Sequence, residues 1–461
     1  MNQPLNRSTH AEAKTPPVRL VHLGLGAFHR AHQVFLTRQA EQESANPEFG
    51  YASFTGRSAG AALELQPQDG LYTLVTRSGD GDECQVIDTL VEAQPADNVE
   101  RLVELLASPE VCVVTMTITE AGYYLADGFQ LDTDNETVAA DIELLRQGLE
   151  GTPQAQTAAG KLLVGLAHRR AAGLSGLAVM SCDNIAANGA TTRAAVLGLA
   201  REVDAELAQW IENNVTFPSS SIDRITPATT DELKNEVAEM TGYHDNSPVV
   251  TEPFFSWVIE GEFPAGRPEW ERAGVEFVDD IEQFENRKLW LLNGSHSLMA
   301  YFGQLRGHTT VAEAINDEEV RARVEDLWDE AAAHLTRPEL NVPEYRTALI
   351  ERFTNPRIRH NLAQIAIDGA TKQRMRAAAI LKAERSAGRS GEAAAFSIAS
   401  WIAFAQQALQ QDQELKDSRA DEVTEALSAE NPVPAMLALL DSELAQDAEV
   451  IDAITNQLKE L

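Results

Sequence analysis

Apolar residues in the first half of the chain fall in short β-branched runs, and between those runs they recur at helical spacing. The first run, Arg19-Leu20-Val21-His22-Leu23, stops at Gly24, and a helical stretch follows over residues 28–39. Further strands are predicted over residues 51–55, 71–76, 111–118 and 177–182, with helices at 99–106 and 157–171. Alternating strand and helix predicts an α/β fold, a mostly parallel sheet covered on both faces.

The second half changes character. After a strand-like segment at 249–252 and a loop holding Pro264 and Pro268, the chain is mostly Ala, Leu, Glu and Gln at helical periods. Residues 391–410 and 436–449 are examples, and β-branched runs are scarce. The reading is an α/β domain over residues 1–277 and an all-α domain over 278–461. Near the acidic end, Leu437, Leu440 and Leu444 argue for a helix with a solvated face rather than a disordered tail.

Charge narrows the partners. Lys and Arg total 37 against 71 Asp and Glu, a net charge of −34. That field repels phosphate backbones and anionic membranes, so neither nucleic acid nor membrane is expected. It still allows a small anionic ligand in a locally positive pocket. No run reaches the roughly 18 apolar residues of a membrane span, and the start of the chain lacks a secretory signal's apolar core. Cys84, Cys112 and Cys182 stand at wide, unpatterned spacings. A cytoplasmic protein, monomer or small homo-oligomer, is expected.

The turn after the first run, Gly24-Leu25-Gly26-Ala27-Phe28-His29, sits where a doubly wound fold holds a dinucleotide's pyrophosphate. Gly24 permits the tight turn, Gly26 lets backbone approach the phosphates, and the helix start offers free N–H groups. His29 takes the place of the third glycine. The ribose-binding acid is missing as well: the second strand ends in Thr55-Gly56-Arg57-Ser58. Arg57 is either a solvated loop residue or a partner for adenine or a 2′-phosphate, so NAD is expected and NADP stays open.

The most informative segment is Glu285-Asn286-Arg287-Lys288-Leu289-Trp290-Leu291-Leu292-Asn293-Gly294-Ser295-His296. At about 100° per residue, Glu285, His296 and Asn293 fall at about 60°, about 80° and about 140° from Lys288. Proton-exchanging and hydrogen-bonding groups thus share one arc of a largely apolar helix. A solvated polar face is the plain account. Gly294, a poor helix residue, points to a close approach of backbone or ligand between Asn293 and His296. A lysine with a burial-lowered pKa serves as a general base, and an asparagine amide donates to a carbonyl oxygen or alkoxide. These are the parts that move a proton while a nicotinamide moves a hydride. No tyrosine stands four residues before a lysine, no Cys and His cluster suits zinc, and His29 and His32 read as cap and packing residues.

Several separated motifs in this order resemble the polyol-specific long-chain dehydrogenase/reductase family, the mannitol 2-dehydrogenase and fructuronate reductase family. They are residues 22–33, Gln68-Asp69-Gly70-Leu71-Tyr72-Thr73, Ser181-Cys182-Asp183-Asn184, Asp223-Arg224-Ile225-Thr226-Pro227, Thr251-Glu252-Pro253-Phe254 and residues 288–296. The resemblance implies a Rossmann-type nucleotide-binding domain over residues 1–277, a mainly helical domain over 278–461, and metal-independent chemistry at a site between them. It implies Lys288 as general base, Asn293 and Asn184 as an oxyanion pair, and His296 orienting the substrate. Asp223 then contacts substrate hydroxyls, and Glu285 relays the proton. Downstream, Lys372 fits the family's substrate-side lysine, and Gln364 stands where polyol-specific members carry arginine. Arg359, His360, Lys372 and Arg374 are candidates for a positive end that holds a carboxylate. Mannitol/fructose and mannonate/fructuronate are both expected substrate pairs, with mannitol 1-phosphate a third. A non-catalytic NAD-binding regulator is the reading of another class; it needs the glycine turn but not the polar helix face.

Overall fold

The computed structural model describes residues 2–126, 128–357 and 360–461. The chain divides into two compact units, Met1–Ile281 and Glu282–Leu461.

In the N-terminal unit, five parallel strands form one sheet in the order Ala178–Ser181, Val113–Met116, Val18–Leu23, Gly50–Phe54, Leu90–Gln94. The order reverses at Val18–Leu23, the switch point where doubly wound sheets bind ligands. Successive residues face opposite sides. Val21, Leu23, Val114 and Met116 pack with the helices Val99–Leu106, Ala158–Ala171 and Asn188–Val203. Leu20, Val113, Ala178 and Met180 pack with Ala31, Val34 and Leu36 of the first helix. The helix Val99–Leu106 has the bounds its apolar spacing predicts, and Thr157 caps Ala158–Ala171 by accepting from Gly160 N.

The run predicted at 71–76 is a strand, Tyr72–Arg77, outside the parallel sheet. It lies between Val249–Thr251 and Asp82–Ile87 in a separate three-stranded sheet. A third sheet pairs Ser219–Asp223 with Ser256–Glu260, which also pairs with Glu276–Val278.

The C-terminal unit is helical, with two isolated residues bridging at Thr310 and Asn361. Its core includes Leu291, Leu298, Leu327, Trp328, Ile398 and Ile402, all nearly or fully buried. The long helix Glu392–Gln410 is Ala-rich on its buried side, which lets neighbouring helices approach closely. The helix expected over 436–449 is broken. Pro432–Ala438, a 3₁₀ turn Leu444–Gln446 and Ala448–Gln457 replace it, with Asp447 capping the last. Leu437, Leu440 and Leu444 are buried all the same, because the break turns each of them toward the core. Among the described residues no helix is long and apolar enough to cross a membrane.

Candidate active site

The glycine turn follows the central strand. Gly24 has φ 114°, and a Cβ there would stand 2.0 Å from Thr117 O, so this position requires glycine. At Gly26 a Cβ would meet only Gly24 O at 3.6 Å, so the space in front of that backbone is open. Helix 27–40 begins immediately, and no side chain caps its first amides. An open backbone, an uncapped helix start and the switch-point position fit a dinucleotide's phosphates at Gly24, Gly26, Ala27 and Phe28. Its middle, Arg30–Val34, is a π turn. His29 is buried, bonds with Gln33 Oε1 and Ser53 Oγ, and stacks on His22 at 3.3 Å. His32 bonds with Ser256 O. Both imidazoles are packing groups.

Asn184 is exposed just past the strand Ala178–Ser181, at the ligand-binding edge of the sheet. Its neighbours fix the loop. The Asp183 carboxylate accepts from Ile118 N and Thr119 N at 3.1 Å each and from Tyr123 Oη at 2.7 Å. Asn188 Nδ2 donates to Asp183 O and Ser220 O, while Asn188 Oδ1 accepts from Ser220 N at 2.9 Å. Ser220 lies on the strand that ends in Asp223, so one asparagine ties the Asn184 loop to that strand. Asp223 is nearly buried. The next residue, Arg224, donates to Glu252 O and to Ala31 O and lies 4.5 Å from the Phe35 ring. Burial pulls its guanidinium down to about 10. Gln68 donates to Asp245 and Tyr72 donates to Arg30 O. Much of the recurring sequence pattern is therefore scaffold.

In the C-terminal unit, helix 282–303 carries Glu285, Lys288, Asn293 and His296. Glu285, Lys288 and Asn293 are half-buried and His296 is buried. The segment Lys288–Asn293 is a π turn in which Gly294 N reaches back to Leu289 O. The turn takes up one extra residue, so Lys288 and Asn293 come nearer a shared face than α geometry gives. The carbonyls it displaces are answered: Trp328 Nε1 donates to Leu291 O at 2.8 Å, and Arg376 Nη1 donates to Asn293 O at 3.1 Å. Gly294 does not serve a close approach. A Cβ there would meet Leu327 and Leu289 O at ordinary contact distances of 3.7 and 3.8 Å, on the side facing the core.

Positive groups surround His296. Burial holds its imidazole well below the usual histidine range, and the charges of His360, Arg352, Arg376 and Lys372 add to that. The His360 ring packs edge-on at 4.9 Å. Burial also lowers His360, Lys372 and Arg376, the last to about 10. Lys372 Nζ donates to Ile365 O at 3.0 Å, and Arg376 Nη1 donates to Ser297 Oγ at 2.7 Å. Buried His296 Nε2, His360 Nδ1 and Arg376 Nε have no hydrogen-bond partner among the described residues. Such atoms are costly to bury unless a ligand answers them.

Gln364 is exposed and lines a groove of about 440 Å³ with His308, Asn361 and Lys416. Arg374 is exposed, and Arg359 lies outside the described residues. Arg57 is exposed past the second strand of the nucleotide-binding sheet. Sequence reasoning missed Arg376 and Arg352. The signal for Arg376 was present: it follows Lys372 by four residues, one helical turn, whereas Arg374 points elsewhere.

Comparisons with known proteins place the chain in a family. Residues 18–272 match the mannitol dehydrogenase Rossmann domain and residues 280–461 the mannitol dehydrogenase C-terminal domain. The D-mannonate oxidoreductase of Escherichia coli is 36% identical over 96% of this chain and 93% of its own length. The mannitol 2-dehydrogenase of Pseudomonas fluorescens, solved as a ternary complex with NAD and D-mannitol, is 31% identical with a TM-score of 0.80. The alignment covers 100% of this chain and 94% of that one. A substrate-free D-sorbitol dehydrogenase superposes with a TM-score of 0.88 at 29% identity, covering 99% and 98% of the two chains. The chain belongs to the mannitol dehydrogenase family and is a Rossmann-type oxidoreductase of secondary alcohols.

Proposed function

We propose that this chain interconverts a sugar acid and its keto form with NAD, D-mannonate and D-fructuronate being the pair that fits best. The observation that carries the choice is the cation cluster at His296. In a chain of net charge −34, Arg376 and Lys372 bond to neutral backbone and hydroxyl oxygens rather than to carboxylates. Asp368 and Asp417 lie near enough to act on Lys372 without bonding to it, so a substrate carboxylate can accept charge-assisted hydrogen bonds there. The similarity to a D-mannonate oxidoreductase over nearly the whole chain supports the same reading. The neutral pair D-mannitol and D-fructose is the second reading, favoured by the likeness to the mannitol-bound enzyme.

NAD, held at the turn of Gly24, Gly26, Ala27 and Phe28, would supply the hydride acceptor for the carbinol carbon and, reduced, the donor for the carbonyl. Lys288 takes the hydroxyl proton as the hydride leaves, and in the reverse direction gives that proton to the carbonyl oxygen. Asn293 donates to this oxygen as its charge develops, and Asn184 is assigned as the second donor. His296 stays neutral because it is buried, so its free Nε2 orients a substrate hydroxyl without adding charge. Asp223 accepts from substrate hydroxyls, and Glu285 exchanges the Lys288 proton with water. His360 and Lys372 hold the carboxylate end in this assignment.

Equilibrium binding in saturating NADH, which does not react with alcohols, tests the substrate class, with D-mannonate, D-mannitol and D-mannitol 1-phosphate as ligands. The proposal expects mannonate to bind about tenfold tighter than mannitol, the worth of one charge-assisted hydrogen bond. Mannitol binding as tightly as mannonate, or the phosphate binding tightest, overturns it.

A further inference from the structure

We propose that the nucleotide site accepts the 2′-phosphate of NADP as well as the plain ribose of NAD, with Arg57 as its ligand. Phe54 O, the last residue of the second strand, accepts from both Gly24 N and Leu25 N at 2.8 Å. The strand end is thereby tied to the phosphate turn. Arg57 follows three residues later, a span of at most about 10 Å. In doubly wound folds the end of this strand meets the adenosine ribose, and a carboxylate there excludes a 2′-phosphate. Here residues 55–60 contain no acid. Thr55 is turned inward, its Oγ1 accepting from Ala96 N at 2.9 Å. Gly56 opens the site, with nothing within 4 Å of a Cβ built on it.

The charge balance points the same way. Exposed arginines of this acidic chain are commonly paired: Arg146 reaches Glu202 at 2.8 Å, Arg193 reaches Glu212 at 2.7 Å, and Arg321 reaches Glu325 at 3.0 Å. Arg57 is exposed and makes no ion pair or hydrogen bond among the described residues. On the neighbouring strand Leu90–Gln94 the one carboxylate, Glu92, is held by Arg101 at 2.7 Å, so it does not repel a phosphate as a bare acid would. A guanidinium with free donors at this position matches a phosphate dianion.

Calorimetric titration of the whole protein with adenosine 2′,5′-bisphosphate and with adenosine 5′-monophosphate tests this without any sugar, so it stands apart from the choice of substrate. The bisphosphate is expected to bind at least as tightly as the monophosphate. Arg57→Ala is expected to weaken the bisphosphate about tenfold and leave the monophosphate within twofold, and Arg57→Lys to restore part of the loss. Wild-type protein that binds the monophosphate tenfold more tightly overturns the proposal. So does an Arg57→Ala variant that weakens both ligands alike, which marks Arg57 as an adenine-stacking residue, or one that weakens neither.

Discussion

Arg376 Nη1 donates to the backbone carbonyl of Asn293 at 3.1 Å and to Ser297 Oγ at 2.7 Å. One guanidinium thus joins a helix of the cation cluster to the π turn that presents Asn293. The bond answers a carbonyl that the turn would otherwise leave buried and unpaired. Arg376→Met is expected to cost about 1–3 kcal/mol of stability and to lower kcat more than it raises KM, because Asn293 loses its register. Arg376→Lys is expected to recover part of both losses. Urea unfolding and steady-state kinetics measure the two effects; unchanged kcat in the methionine variant contradicts the positioning role.

Lys288→Ala is expected to abolish turnover while leaving NAD binding nearly intact. Asn293→Ala is expected to lower kcat on the order of 10²-fold, the loss typical of one oxyanion donor. Rapid-quench or initial-rate assays beside nucleotide titrations separate these cases. A Lys288→Ala protein that keeps most of its rate removes the base assignment, and an Asn293 effect confined to KM reduces that residue to ground-state binding.

Stability of the N-terminal unit is expected to fall in mild acid. Burial holds His22 down to about 3, and burial together with the charge of His22 holds His29 well below the ordinary value. In the unfolded chain both titrate near about 6.5. Below about pH 6.5 the unfolded state therefore binds protons that the folded state does not. Their contribution is fully present above that pH and is lost as pH falls toward the folded value, at about 1.4 kcal/mol per unit for each histidine. Urea midpoints at pH 7.5 and 5.5 check this, above the range where most carboxylates titrate. A midpoint that does not move contradicts it.

Lys372→Met is expected to lower kcat/KM for D-fructuronate about tenfold and to change that for D-fructose much less. Equal losses on the two substrates would make Lys372 a general substrate contact rather than a carboxylate ligand.

The sequence disclosed those parts of the molecule where one local rule decides the outcome. Strand runs bounded by glycine or polar turns and the helices Val99–Leu106 and Ala158–Ala171 all came from spacing alone. The π turn Lys288–Asn293 did not, because an inserted residue has no periodic signature; it is stabilised by Trp328 and Arg376, far along the chain. For the same reason Gly294 was misread as a point of ligand approach, whereas it faces Leu327 in the core. Tyr72–Arg77 reads as a strand, but its membership of a second sheet depends on Val249–Thr251, which a local pattern does not reveal. The roles assigned to Asn184 and Asp223 rest on the family resemblance, since an exposed asparagine after a strand is ordinary turn chemistry.

The central claim is that the cations around His296 select a carboxylate-bearing sugar. Its most direct test is the initial rate of NADH oxidation by the purified protein with D-fructuronate and D-fructose in parallel. The account predicts a kcat/KM for fructuronate at least about tenfold above that for fructose, with the margin shrinking as salt is raised. Fructose turned over as efficiently as fructuronate would contradict it and make this a dehydrogenase of neutral polyols.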